Sequence, residues 1–284
     1  MELVSQLSIN GLTLGLSYVL MALGLTIIFS IMGIVNFAHG EFYMLGAFAI
    51  FVTVTTLHVN FFLGILCAIV ALGVIGILTE RIVFRKFNGQ HLNGLVASLG
   101  LSILIQNAAL LIWGGDDQAV ASPFRGKIVE IWGIIASVER LMVAGVSIIA
   151  LLLVYYFITY TKLGQAMRAM SQDKEAAALQ GIPINRISSM SFALGCILAG
   201  LAGALLAPIY YVSPFIGVGP VLKAFVVIVL GGLGSIFGAV VGGLILGMID
   251  SVSVYFWGTL GDLVGFVILI SFIMFRPKGL FGNE

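Results

Sequence analysis

Six stretches of this chain carry no Asp, Glu, Lys or Arg: 3–40, 42–79, 87–115, 141–161, 187–222 and 224–249. Each is dominated by apolar residues. A helix needs about 20 such residues to cross a bilayer. The pattern predicts spans near 5–30, 41–57, 61–80, 92–113, 141–161 and 188–209. The tail, 221–275, holds three shorter apolar runs, near 221–233, 236–254 and 258–275. The expected fold class is therefore all-α: a polytopic transmembrane domain of about eight to ten spans. No linker or low-complexity segment divides it, so residues 1–284 read as one membrane domain.

Composition agrees. Apolar residues make up 61% of the chain and charged residues 9%, against roughly 25% charged in soluble domains. Glycine is high, at 36 of 284 residues. Gly-rich apolar sequence suits helices that pack backbone to backbone in lipid. The net charge is +1, and no basic patch points to nucleic acid. Cys67 and Cys196 sit in apolar stretches and read as small hydrophobes, not as a disulfide or metal ligands. The start, Met1-Glu2-Leu3-Val4, lacks a basic segment, so the first apolar stretch is expected to be retained as a span.

Lys and Arg set orientation. Arg81, Arg85 and Lys86 form one cluster; Lys162, Arg168, Lys174 and Arg186 a second; Arg276 and Lys278 a third. All three are assigned to the cytoplasm, and the 114–130 segment to the outside. A cytoplasmic C-terminus then requires an even number of crossings after residue 187, which counts all three tail runs as crossings. The side on which the N-terminus lies stays open, because the first basic residue is Arg81.

The longest hydrophilic stretch that carries a cluster, 162–186, reads as a short helix with punctuation. Ser171 or Asp173 can cap its start by accepting free backbone N–H groups. Glu175 suits the first turn, where the helix dipole favours negative charge. Ala176, Ala177, Ala178 and Leu179 offer a compact apolar surface. Gly181 is a natural left-handed stop, and Pro183 forbids continuation. Such an element fixed between two spans makes a mechanical handle for a partner. Equally, it reads as a solvated loop whose charges only set topology.

A second segment breaks the apolar pattern. Asn36, His39 and Glu41 are bracketed by long apolar runs, and polar groups at membrane depth often mark a pathway. Gly33, Gly40 and Gly46 permit irregular backbone, which membranes tolerate only inside protein or beside a water-filled cavity. The alternative is a short surface loop over 32–41, with His39 and Glu41 solvated. In the tail, Gly231, Gly234, Gly238 and Gly242 recur at spacings that let helices approach closely, within the chain or at a seam with a second subunit. Lys223, Asp250 and Asp262 read as rim residues near the interfaces, not as a proton relay.

Four segments resemble one family. The stretch Gly164-Gln165-Ala166-Met167-Arg168-Ala169, with Asp173, Ala176-Ala177 and Gly181-Ile182, resembles the coupling loop of ABC importer permeases of the branched-chain amino acid type. So do Asn10-Gly11-Leu12-Thr13-Leu14-Gly15, the run from Gly33 to Gly46 containing Asn36-Phe37-Ala38-His39-Gly40-Glu41, and Gly231-Gly232-Leu233-Gly234-Ser235-Ile236-Phe237-Gly238 with the C-terminal Arg276–Gly282. The Gly33–Gly46 run is the most specific. The short chain resembles the smaller, H-type permease of leucine-isoleucine-valine systems.

The resemblance implies a permease subunit carrying branched-chain or other neutral amino acids across the inner membrane. Close relatives of the family carry urea or short amides. It implies a second related permease, two ATPase subunits and a periplasmic solute-binding protein as partners, in a lipid bilayer. No cofactor is expected on this chain; ATP and magnesium would be used by the partner subunits. Coupling to the ATPases would fall on Gly164, Arg168, Asp173, Glu175, Ala176, Ala177, Leu179 and Gly181. Asn36, Phe37, His39 and Glu41 would line the substrate path.

The residues themselves bear on the alternatives. No Gly-x-x-x-x-Gly-Lys-Ser/Thr loop occurs, so ATP hydrolysis is not expected here. A stand-alone secondary transporter needs its own driving force, with internal repeats and midplane ionisable residues; the chain has no convincing repeat and few such residues. A membrane enzyme would have to rest on His39 and Glu41, which are also too few for a metal site.

Overall fold

The computed structural model describes residues 2–87, 89–131, 134–276 and 279–281. Eleven α-helices run through them: α1 Glu2–Met32, α2 His39–Ile50, α3 Phe61–Ile82, α4 His91–Trp113, α5 Val138–Tyr160, α6 Lys162–Gln172, α7 Lys174–Leu179, α8 Ile184–Leu206, α9 Val218–Gly231, α10 Ile236–Trp257 and α11 Gly261–Phe275. By length and composition, α1, α3, α4, α5, α8 and α10 are the six able to cross a membrane. The other three apolar runs read from the sequence form shorter elements. They are α2 with its π-helical continuation Phe51–Thr56, then α9, then α11.

One structure was not anticipated. Within the 114–137 connection, β1 Ile128–Ile131 pairs antiparallel with β2 Ile134–Ser137, Ile128 opposite Ser137. A separate bridge joins Gln118 to Val212 through two backbone hydrogen bonds of 2.8 Å. The all-α reading holds for the bundle; these short pairings hold its loops together.

The bundle has a wrapped centre and an open skin. In α1 and α8, 78% and 83% of the apolar window is buried, against 11% in α4. Exposed Leu92, Val96, Ile103, Leu104, Leu111 and Ile112 cover α4. A helix that is apolar all round suits lipid on its outer face. The central helices approach closely where side chains are missing. A Cβ on Gly46 of α2 would overlap the Gly200 carbonyl of α8, and one on Gly247 of α10 would overlap the Gly15 backbone of α1. Gly11 meets Met248 in the same contact. Small residues of this kind let transmembrane backbones touch.

The basic clusters share one end of the bundle. Arg85, just past α3, donates to Glu80 at 2.8 Å, to the Ser189 hydroxyl at 2.8 Å and to the Asn185 carbonyl of α8 at 3.4 Å. Glu80 is buried and also accepts from Ser189 at 2.5 Å. This carboxylate raises the Arg85 pKa above its ordinary value, first through their hydrogen bond. Ser30, near the end of α1, lies beside Arg168, Ser171 and Gly234. The C-terminal Leu280 and Phe281 donate to Leu230 and Gly231 at the end of α9. The end of α1 therefore lies with the basic residues, and the start of α1 at the far end. The C-terminal segment returns to the basic end, as the even count of tail crossings requires.

Candidate coupling elbow and transport path

At the basic end the chain turns out of α5 into an elbow of two helices. Thr161 caps α6 by accepting from the Gly164 amide at 3.0 Å. Gly164 lies so close to α5 that a Cβ would overlap the Phe157 and Ile158 backbone. Met167 and Met170 are buried, which ties α6 to the bundle. Of the two cap residues read from the sequence, Asp173 caps the next helix. Its carboxylate accepts from the Glu175 and Ala176 amides, both at 2.9 Å. Gly181 has φ +81° and ends the elbow in the left-handed conformation. Partial burial lowers the Lys174 pKa.

The exposed and buried faces of this elbow correct part of the sequence reading. Ala177 is 4% exposed and faces its own chain, whereas Leu179 is 88% exposed. Ala176, Ala178 and Glu175 are also exposed. Gly164 and Ala177 thus position the elbow, while Leu179 stands uncovered. Arg168 donates to the Thr159 carbonyl at 3.0 Å and is otherwise open.

The Asn36–Glu41 segment is not a surface loop. Gly33, at φ +67°, stays at the basic end, where its carbonyl meets His91 Nδ1 at 2.6 Å. The chain then folds back along α1. His39 Nε2 meets the Met21 carbonyl at 3.2 Å. Met21 lies about 18 Å from Gly33 along the helix, at 1.5 Å per residue. Non-helical backbone over 33–36 covers most of that distance inside the protein. Asn36 and His39 are fully buried, and Glu41 nearly so. Asn36 accepts from the Ala38 amide at 3.1 Å, and Glu41 accepts from Ser102 of α4 at 2.9 Å. Phe37 packs on Phe225 of α9 with ring centres 4.9 Å apart. Among the described residues, Asn36 Nδ2, His39 Nδ1 and Glu41 Oε2 have no hydrogen-bond partner. An unpaired buried polar group costs about 1–3 kcal/mol. Three in six residues are a concentration that packing does not explain.

The rim reading of Lys223 and Asp250 is overturned. Both are buried and paired, with Nζ–Oδ distances of 2.8 Å. The Tyr18 hydroxyl donates to Asp250 at 2.9 Å, and the Lys223 ammonium lies 5.5 Å from the centre of the Phe266 ring. The pair therefore joins α1, α9, α10 and α11. Nothing in the sequence spacing matched residue 223 to 250 or to Tyr18. The side chain of Asp262 lies outside the described residues, as do Pro277, Lys278 and Gly282.

Lys223 reaches the wall of a cleft of about 560 Å³ that opens at the far end. Leu14, Tyr18, Tyr43, Leu206, Ile216 and Phe266 line it, with Asp117, Tyr210 and Tyr211 toward the mouth. The tail glycines have a different use. A Cβ on Gly231 or Gly238 would overlap the other residue's backbone, and Gly242 lies against Val227. These three close the α9–α10 hairpin within the chain. Gly234, at φ +87°, makes its turn beside Ser30. Among the described residues no group of three or more His, Cys, Asp or Glu gathers as a metal site.

Comparison with known proteins places this architecture. Residues 7–275 match the family described as branched-chain amino acid transport system / permease component. The chain belongs to this family. It is 36% identical to the high-affinity branched-chain amino acid transport system permease protein LivH of Escherichia coli, over 96% of this chain and 94% of that one. Identity to BraD of Pseudomonas aeruginosa, which has the same description, is 34% over 97% and 94%. The ribose import permease RbsC of Escherichia coli is more distant, at 25% over 88% and 76%. Among solved structures, PsaBC from Streptococcus pneumoniae in complex with Fab aligns with a TM-score of 0.53 and 13% identity, over 95% of this chain and 91% of that one. That likeness concerns the fold alone. The chain is thus a multi-pass membrane permease component of the ABC type, not an enzyme.

Proposed function

We propose that this chain is one of two permease subunits of an importer that carries branched-chain or other neutral amino acids across the inner membrane. Two separate ATPases would bind ATP and magnesium, and a periplasmic solute-binding protein would deliver the substrate. The observation that carries the reading is the capped elbow at the basic end, with Leu179 uncovered, in a permease-family chain that has no nucleotide loop. An uncovered leucine on a six-residue helix gains nothing from water. It gains by entering a groove on a partner. Glu175, one turn earlier on the same helix, and the exposed Arg168 of α6 supply charges for orientation.

In this mechanism ATP-driven closure of the partners pushes on α7. Asp173 and Gly181 keep that helix short and stiff, and buried Ala177, Met167 and Met170 pass the motion to the bundle. The motion is a rigid-body shift of packed helices. Asn36, Phe37, His39 and Glu41 belong to the path or to its gate, and their unpaired atoms acquire partners in the state that passes substrate.

Replacing Leu179 with Glu tests the elbow. Abundance in the membrane and thermal stability should stay unchanged, since the side chain touches little of its own chain. Leucine uptake in cells or proteoliposomes should fall by at least about tenfold, the loss of one apolar anchor. Wild-type uptake by that variant would remove the coupling assignment.

A further inference from the structure

The far-end cleft and the ion pair at its wall point to a binding step. We propose that the cleft receives the amino acid as a zwitterion, with Lys223 taking the α-carboxylate and Asp250, with Tyr18, taking the α-ammonium. The inference rests on the reading that this permease carries amino acids.

Geometry and charge support it together. The cleft holds about 560 Å³, within the roughly 300–1,000 Å³ of small-molecule pockets. It opens at the end away from the coupling elbow, between α1, α9 and α11. Its walls are mostly apolar or aromatic: Leu14, Tyr43, Leu206 and Phe266. Lys223 supplies an ammonium at its wall, Tyr18 and Tyr43 bring hydroxyl-bearing side chains to its lining, and Lys223 leads directly to Asp250. A neutral amino acid has the complementary form, with two oppositely charged groups bonded to one carbon and an aliphatic side chain.

Charge balance makes the exchange feasible. Buried charges must be paired. The resting pair is neutral, and a zwitterion is neutral. Swapping partners keeps every charge compensated: the Lys223–Asp250 contacts open, and each member closes on the opposite charge of the ligand. A singly charged ligand leaves one member unpaired in a buried setting. An uncharged urea or amide offers neither charge and leaves the pair shut. The site therefore selects neutral amino acids by charge count. The pair packs directly against Gly265, where a larger residue would crowd it. A Cβ there would stand 3.2 Å from Lys223 Nζ and 3.3 Å from Asp250 Oδ1. Asp117, at the mouth, is the carboxylate that lines the cleft among the described residues; Asp250 lies behind Lys223.

The test uses the complete importer in liposomes, with saturating leucine-loaded binding protein. The double variant Lys223→Met/Asp250→Leu replaces the pair with apolar side chains of similar length, a change that buried pairs tolerate in folding. Leucine uptake is expected to fall by roughly tenfold or more, while binding-protein-stimulated ATP hydrolysis persists. A pair that only holds helices together predicts wild-type uptake in the double variant, and that result overturns the proposal. A second measurement needs no variant. Leucine should raise the thermal unfolding midpoint of the wild-type transporter; leucinamide and 4-methylpentanoate, which carry one charge each, should not. Equal shifts with all three, or none with leucine, also overturn it. If the wild-type importer takes up no leucine at all, the amino-acid reading itself has failed, which is distinct from a working importer indifferent to the pair.

Discussion

Two buried polar clusters sit in this bundle, and they are built in opposite ways. Around Lys223 and Asp250, hydrogen bonds and an ion pair tie the two charges to each other and to Tyr18. Around Asn36, His39 and Glu41, three polar atoms are buried without a partner among the described residues. A satisfied network in low dielectric rigidifies a core, and a partly satisfied one costs stability. The first cluster therefore holds four helices together in this state. The second is a standing cost at the break before α2 and in its first turn, folded back into the bundle. Such a cost is tolerated where another conformation, or a passing ligand, supplies the missing partners.

Breaking the satisfied cluster on one side should produce the largest effect. Asp250→Ala strands the Lys223 ammonium, and loss of one partner of a buried pair costs about 3–5 kcal/mol. Thermal unfolding in detergent should show that loss, while the apolar double replacement stays near wild type. Tyr18→Phe removes only a hydroxyl bound to a charged carboxylate, so the drop should be about 1.5–3 kcal/mol by the same measurement. The smallest stability change belongs to the unsatisfied cluster. His39→Leu removes the unpaired Nδ1 together with one hydrogen bond to Met21. The variant should unfold within about 1 kcal/mol of wild type, yet leucine uptake should fall. A large destabilisation with normal uptake would show that the 36–41 segment serves folding rather than transport.

Much of this was legible in the sequence. Long charge-free runs become apolar helices because the bilayer admits little else. Asp173, Glu175, Gly181 and Pro183 announced a capped helix because caps and stops act over three or four residues. The glycines of the tail announced close packing. The β1–β2 pairing went unread: Ile128, Val129 and Ile131 carry β-branched character, but four residues at the end of a loop give too short a pattern to separate from it. The exposed side of the elbow was misjudged because six residues hardly define a face. Ala177 and Leu179 differ only in where the bundle lies.

The sequence by itself determined a polytopic apolar chain, three clusters of Lys and Arg outside its spans, and a capped helix between two of those spans, all consequences of local chemistry. Its motifs determined the family. Tertiary structure decided that the 36–41 segment turns inward from the end of α1, and that Lys223 finds Asp250 and Tyr18. It also decided that Leu179, not Ala177, is left uncovered. Each is a contact between residues remote in sequence or a choice of helix face. Both are fixed by how the helices pack, and no local pattern encodes that.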